Sequence, residues 1–379
     1  MDTHPRAGDR FKRTWSEGIP VVRTELCERL GIEYPIIQGG MGPYSTNNLC
    51  TAVANAGALG VISGIGMATN LSDVTPVDPS RVFGKGTVKE IMRRSIATVT
   101  EQTKESAGIY GINVPLSAEF VEAARVLIDE ALECRERDPE VKARFRAVIT
   151  SAGNPLPWRD KIKSSGVVWL HVIPSVYHAK KAEAAGVDMV IASGHEGGAH
   201  IAWEPVHSMV LIPEVVEQMA IPVIAAGGIC DGATLAAALA LGAKGVQMGT
   251  RFIATKESDF QPVWKNGILD RDERKTLVGR GFFGPMRFLR NQQSAAVVEA
   301  TVRHIGGFYL GERIESTREI LDLEKEGFEN VLEGDKDRAL MLAGEVSGRI
   351  KDIPTVSELI QRIVNEAHEI IAKLAAQIS

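Results

Sequence analysis

No apolar run in the sequence approaches the roughly 18–20 residues that a membrane-spanning helix needs. The N-terminus also lacks the apolar stretch of a signal peptide. Neither a membrane nor export is therefore expected, and the expected location is cytoplasmic. The four cysteines, Cys27, Cys50, Cys134 and Cys230, are scattered and never spaced as CxxC. Buried free thiols in a reducing compartment are the simplest account. No metal-ligand spacing occurs, so no metal is expected. A net charge of −5 gives no reason to expect nucleic acid as a partner. The locally basic Arg6, Arg10, Lys12 and Arg13 read as a solvated arm. Ser63, Ser151 and Ser193 lack a nucleophile elbow, since no G-x-S-x-G is found.

What the sequence does have is alternation. In Ile221–Phe252, two apolar runs, Pro222–Ala226 and Gly245–Met248, end in Gly227-Gly228 and Gly249-Thr250. Thr234–Leu241 between them is rich in Ala and Leu and reads as a helix, with Gly242 as its stop. Strand, helix and strand in so short a span form a βαβ unit with buried parallel strands. The glycines fall just past the strand ends, where bare backbone N–H groups can approach an anion.

The same pattern recurs upstream. Further strands are expected at Pro35–Gln38, Leu59–Ile62, Ile109–Val114, Arg146–Thr150, Val167–Ile173 and Asp188–Ala192. Helices are expected at Thr24–Leu30, Asn47–Ala56, Val88–Glu105, Ala118–Glu133, Val176–Ala185, Leu211–Met219 and Val356–Ala375. Residues 69–85 read as a long loop of the kind that forms lids. Residues 264–285 are charged and Gly-rich, and 312–338 read as solvated helix outside the main domain. Eight strands alternating with helices predict an α/β fold, a TIM (β/α)8 barrel with a C-terminal helical addition. The expected divisions are an arm over 1–22, a barrel core over 23–260, and a mostly helical region over 261–379 that completes and flanks the barrel.

A doubly wound sheet would more often show a dinucleotide fingerprint near its first strand. Gly279-Arg280-Gly281-Phe282-Phe283-Gly284 matches GxGxxG literally, but charged residues precede it and Pro285 follows, so the match is accidental. Gly64-Ile65-Gly66 lacks the third glycine and reads as a barrel loop lining the site.

Barrel active sites lie at the C-terminal strand ends. The residues there are rich in glycine and hold only Glu196 among the acids. This argues against paired-acid glycosidases and two-metal hydrolases. It suits a flat cofactor lying against backbone, with its phosphate near the seventh and eighth strands. His195 and His200 share the sixth loop as candidate general acid/base groups, and spacing does not choose between them. His171 and His207 read as core or rim.

At this point a resemblance is evident. Pro35-Ile36-Ile37-Gln38-Gly39-Gly40-Met41, Gly111-Ile112-Asn113-Val114, Gly153-Asn154-Pro155, Glu196–His200, Ala225–Ile229 and Gln247–Phe252 resemble motifs of the FMN-dependent nitronate monooxygenases (formerly 2-nitropropane dioxygenases), a family that includes a flavin-dependent enoyl-ACP reductase branch. The resemblance runs from about Thr24 to the C-terminus. It implies FMN as cofactor, with Gly227, Gly228, Gly249 and Thr250 binding the phosphate and Met248 among the cofactor-binding residues. Gly40 and Met41 would pass beside the isoalloxazine, Asn113 would contact its polar edge, and Ser193 and Gly194 would lie nearby. The family's catalytic histidine follows Glu-Ala-Gly-Gly; here Glu196-Gly197-Gly198-Ala199 exchanges Ala and Gly and places it at His200.

The implied activity is oxidation of an alkyl nitronate by O2 to a carbonyl compound and nitrite. The alternative is reduction of an enoyl-ACP or acyl-CoA thioester with NADH or NADPH as reductant. Segments 38–41, 151–155 and 172–176 lie closer to the reductase branch, whereas 42–46 do not. A non-catalytic flavin-binding barrel is the minor alternative. A small-molecule substrate is the expected partner, and a homodimer is left open.

Overall fold

Eight of the short apolar runs pair in parallel in the computed structural model, which describes residues 22–67, 77–270, 272, 274–308 and 315–378. The strands in chain order are β1 (Ile36–Gln38), β2 (Gly60–Ser63), β3 (Tyr110–Pro115), β4 (Phe145–Ser151), β5 (Val168–Ile173), β6 (Met189–Ser193), β7 (Ala199–His200), β8 (Val223–Ala226), β9 (Val246–Met248), β10 (Thr276–Arg280) and β11 (Pro285–Leu289). The large sheet runs β1-β9-β8-β6-β5-β4-β3-β2. A parallel bridge between Ile37 and Leu59 brings its two edges together. The chain is a TIM barrel, as its alternating pattern predicts.

Residues point alternately into and out of a strand, which divides the core in two. Ile37, Val61, Ile149, Leu170, Ile191 and Ile224 form one buried cluster with Leu26, Cys27 and Leu30 of the first helix, Glu25–Leu30. Their strand neighbours Ile36, Ile62, Val148, Trp169 and Val190 instead pack with the helices. The first helix thus stoppers the barrel interior beside the start of β9, where Thr24 Oγ1 donates to the Lys244 carbonyl at 2.5 Å.

The final helix, Val356–Ile378, is the eighth member of the barrel's ring. Its Val356, Leu359, Ile360 and Ile363 belong to the same buried cluster as the other barrel helices. It docks on helix Gly232–Ala240, where Glu366 accepts from the Gly232 N–H at 2.8 Å. A Cβ at Gly232 would fall 2.4 Å from the Ala367 nitrogen, so only glycine permits this approach. The segment between β9 and this helix is therefore an insertion late in the barrel, with a core of its own around Phe260, Trp264, Phe288, Phe328 and Leu340.

Several expectations need correction within that insertion. Residues 276–289 form the antiparallel pair β10–β11, which binds β7 in a three-stranded sheet. The literal GxGxxG match spans the turn of this hairpin and opens no helix, in keeping with its reading as accidental. The charged stretch expected to be solvated near 312–338 is, over its described residues, only partly so, because helix Arg318–Glu333 buries Ile320, Phe328 and Val331. Of the loop expected over 69–85, residues 69–76 lie outside the described residues, and Pro79–Phe83 is helical. The arm over 1–22 lies outside them too, apart from Val22. Cys27, Cys50 and Cys230 are buried free thiols, and Cys134 is half-buried.

Candidate active site

The C-terminal ends of the barrel strands open into a cavity of about 340 Å³. Gly40, Met41, Asn113, Ser193, Gly227, Gly228, Met248, Gly249, Thr250 and His200 all line it. Gly194 does not. Its N–H donates to the Ala226 carbonyl at 2.9 Å and its own carbonyl accepts from Gly197 at 3.1 Å, so it braces the loop from behind.

The glycines make the wall thin. Gly227 and Gly228 hold φ of 84° and 78°, left-handed values that glycine adopts without strain. Among the described residues, no protein acceptor takes the N–H of Gly227, Gly228 or Gly249. Thr250 Oγ1 accepts from the Gly344 N–H at 2.9 Å, which leaves its own proton to donate. These groups together are an anion grip, and they fit a phosphate. Along the wall, a Cβ at Gly40 would lie 2.2 Å from Asn113 Cγ, so the backbone there is pressed flat against the asparagine. Asn113 Nδ2 donates to the Ile149 carbonyl at 3.3 Å, fixing the amide beside that wall. A flat ring with a phosphate tail matches this shape, and the residues present fit a flavin.

The sixth loop separates the two candidate histidines. His195 does not line the cavity; its N–H donates to Val206, and its carbonyl accepts from Arg287 Nη2 at 3.0 Å. His200 does line it, at the end of β7, with its ring 5.4 Å from that of Phe283. His200 retains accessible surface and contributes to the cavity wall. The surrounding protein desolvates the imidazolium, Arg280 repels it further, and its pKa falls to about 4. The ring is therefore neutral at pH 7 and can accept a proton. His171 is buried in β5 and hydrogen-bonded to Thr150 at 2.8 Å, a core group as expected, and His207 is exposed.

Ala199, immediately before His200, holds φ of 60°. A side chain there costs about 1–2 kcal/mol. The Ala/Gly exchange therefore preserves spacing but stores strain beside the histidine.

Glu196, the acid on the sixth loop, is not in the cavity wall. Both its carboxylate oxygens accept from the Ser208 N–H, at 3.1 and 3.2 Å, so it secures the start of helix Ser208–Gln218. The acid that does line the cavity is Glu324, which comes from the insertion. Phe260, Trp264, Phe283, Met286, Phe328 and Leu342 supply an apolar wall from the same region. Sequence reasoning missed these residues. The available signal was the apolar spacing Ile320, Phe328 and Val331 within a charge-dense segment.

A (β/α)8 barrel with an anion grip, a flat glycine wall and a neutral histidine in one cavity defines a flavin-dependent oxidoreductase. Residues 23–366 match the family described as nitronate monooxygenase, and the chain belongs to that family. A relative from Rhodococcus jostii (strain RHA1), named (3aS,4S,5R,7aS)-5-hydroxy-7a-methyl-1-oxo-octahydro-1H-indene-4-carboxyl-CoA dehydrogenase, is 29% identical over 94% of this chain and 98% of its own. A Staphylococcus aureus (strain MSSA476) protein named "Probable nitronate monooxygenase" is 28% identical over 92% of this chain and 98% of its own. The solved structure of FabK from Thermotoga maritima superposes with a TM-score of 0.75 at 32% identity, covering 94% of this chain and all of that one. No helix among the described residues is long and apolar enough to cross a membrane.

Proposed function

We propose that the protein is an FMN-dependent nitronate monooxygenase, converting an alkyl nitronate and O2 to a carbonyl compound and nitrite. The observation that carries this reading is the presence of a free anion grip and a neutral histidine in one apolar-walled cavity. In this reading Gly227, Gly228, Gly249 and Thr250 hold the phosphate of FMN, with Met248 beside them. Gly40 and Met41 lie along the isoalloxazine, Asn113 contacts its polar edge, Ser193 stands close by, and Gly194 braces the loop. Bound there, FMN supplies two-electron oxidation and reactivity toward O2.

His200 takes the α-proton when a neutral nitroalkane is the substrate. The wall of Phe260, Trp264, Phe283 and Phe328 excludes water and receives the alkyl chain. The barrel core over 23–260 holds the cofactor, and residues from 261–379 shape the substrate side. A cytoplasmic homodimer belongs to the same proposal.

A second reading is reduction of an enoyl thioester by NADH or NADPH. It is favoured by the CoA thioester in the name of the Rhodococcus relative and by the resemblance of segments 38–41, 151–155 and 172–176 to the reductase branch. His200 would then protonate or stabilise the developing enolate.

Anaerobic mixing followed by absorbance separates the two. The nitronate reading expects a yellow protein that releases FMN on denaturation and is bleached by a nitronate but by neither nucleotide. Rapid bleaching by NADH or NADPH would transfer the assignment to the reductase. A colourless protein that takes up no FMN would remove both.

A further inference from the structure

Glu324 is the only carboxyl among the described residues that lines the cavity. It lies one helical turn after Ile320 and one before Phe328, on the buried stripe of helix Arg318–Glu333 where an apolar residue is the default. Its Oε2 accepts from the Phe282 N–H at 2.6 Å. Its Oε1 takes no hydrogen bond from any described residue. The guanidinium of Arg280 is turned to the Gly281 and Phe282 carbonyls and lies 5.2 Å over the Trp203 ring. Phe283, Met286, Phe328 and Leu342 make the surrounding wall apolar.

An oxygen without a protein partner on a cavity-lining carboxyl is left to pair with what enters the cavity. The apolar wall disfavours a charged partner. We propose that Glu324 is a substrate-recognition residue whose Oε1 hydrogen-bonds a neutral carbonyl or hydroxyl carried on the apolar part of the substrate. The proposal rests on the reading that this cavity holds flavin and substrate together, and it goes further by naming a substrate class. That class has an apolar skeleton with a neutral oxygen function set apart from the reacting carbon. Phe283 marks the separation: its ring packs against His200, while the preceding residue's N–H holds Glu324.

The protonation state supports the assignment. Burial raises the carboxyl to a pKa of about 7, against the opposing pull of the Phe282 N–H and of Arg280. The charged and titratable groups around it are Arg280, Glu119 and Glu315 beyond that arginine, and His200 across Phe283. Below pH 7 the protonated acid can donate to a carbonyl or a hydroxyl. Above it, the carboxylate can only accept, and only a hydroxyl satisfies it.

The test titrates the full chain with three unreactive probes of one carbon skeleton: a medium-chain methyl ketone, the matching secondary alcohol and the parent alkane. Displacement of an apolar fluorescent dye from the cavity reads affinity with or without flavin, so failure of the flavin reading leaves this test intact. Ketone and alcohol should bind about tenfold more tightly than the alkane below pH 7, the worth of one buried hydrogen bond. Above pH 7 the ketone should lose its advantage while the alcohol keeps it. In Glu324→Gln the ketone advantage should persist without pH dependence, and in Glu324→Leu both advantages should vanish. Equal affinity of the wild-type protein for the three probes would overturn the proposal. So would a ketone advantage that ignores pH in the wild type, or one that survives in Glu324→Leu.

Discussion

The side-chain amide of Gln38 is hydrogen-bonded to both backbone groups of Val61: Nε2 donates to the carbonyl and Oε1 accepts from the N–H, each at 3.0 Å. β1 and β2 are the terminal strands of the sheet order, and among the described residues the only backbone bridge at this seam is Ile37–Leu59. A side chain thus continues the ladder where backbone pairing has run out. Gln38→Leu would leave the Val61 N–H buried and unpaired, while the Val61 carbonyl would keep the Thr46 hydroxyl at 3.1 Å. Urea unfolding should show a loss of about 1–3 kcal/mol. An unchanged midpoint and slope would mean that the barrel closes without this amide.

Ala199→Gly removes the left-handed strain before His200. After allowing for the extra freedom of glycine in the unfolded chain, the protein should gain about 0.5–1 kcal/mol, read as a higher Tm. A lower Tm would show that the methyl group packs more usefully than its backbone angle suggests.

Gly228→Ala tests the grip. The new Cβ would stand 3.0 Å from Glu196 Cγ on a backbone at φ 78°, displacing the carboxylate that holds Ser208. FMN affinity, followed by flavin fluorescence on dilution, should weaken by tenfold or more. Undiminished retention would place the phosphate elsewhere.

His200→Asn keeps a polar side chain in the cavity and removes the base. FMN content should stay at the wild-type level, while kcat/KM on a neutral nitroalkane should drop about 100-fold or more. Turnover on a preformed nitronate, which needs no proton removed, should suffer far less. Equal losses on both substrates would make His200 a structural group instead.

His171 should govern part of the acid sensitivity. Burial, with a further push from His178, lowers its pKa from 6.5 to about 4 in the folded protein. Between those values the unfolded chain binds the extra proton, so stability rises with pH across that window and is lost as pH falls toward 4. The group, 4% exposed, accounts for about 3 kcal/mol of this slope. His171→Gln should flatten Tm between pH 4 and 6.5 relative to the wild type. A parallel pair of curves would assign the slope to other groups.

The barrel is legible in the sequence because each of its strands is a short apolar run closed by small residues, a pattern imposed by burial on both faces. Runs such as Val223–Ala226 are too short for a helix and too apolar for a half-exposed strand, so they resolve as buried parallel strands. The insertion is less legible for the opposite reason. β10 and β11 carry Arg280 and Arg287 inside a buried sheet, so their polarity reads as loop. Helix Arg318–Glu333 hides its apolar stripe among acids and bases, and that conceals Glu324. Long-range caps are also invisible: Asp259 accepts from the Asn48 and Leu49 N–H groups at 3.3 and 3.0 Å, a pairing that no local pattern announces.

The pairing of β7 with β11 sets an order of assembly. Ala199 and His200 are held against Arg287 and Met286, residues that a ribosome delivers only after every strand of the barrel has been made. The seat of His200 therefore waits for the late segment. Thr250 waits longer still, since the N–H that its hydroxyl accepts from belongs to Gly344.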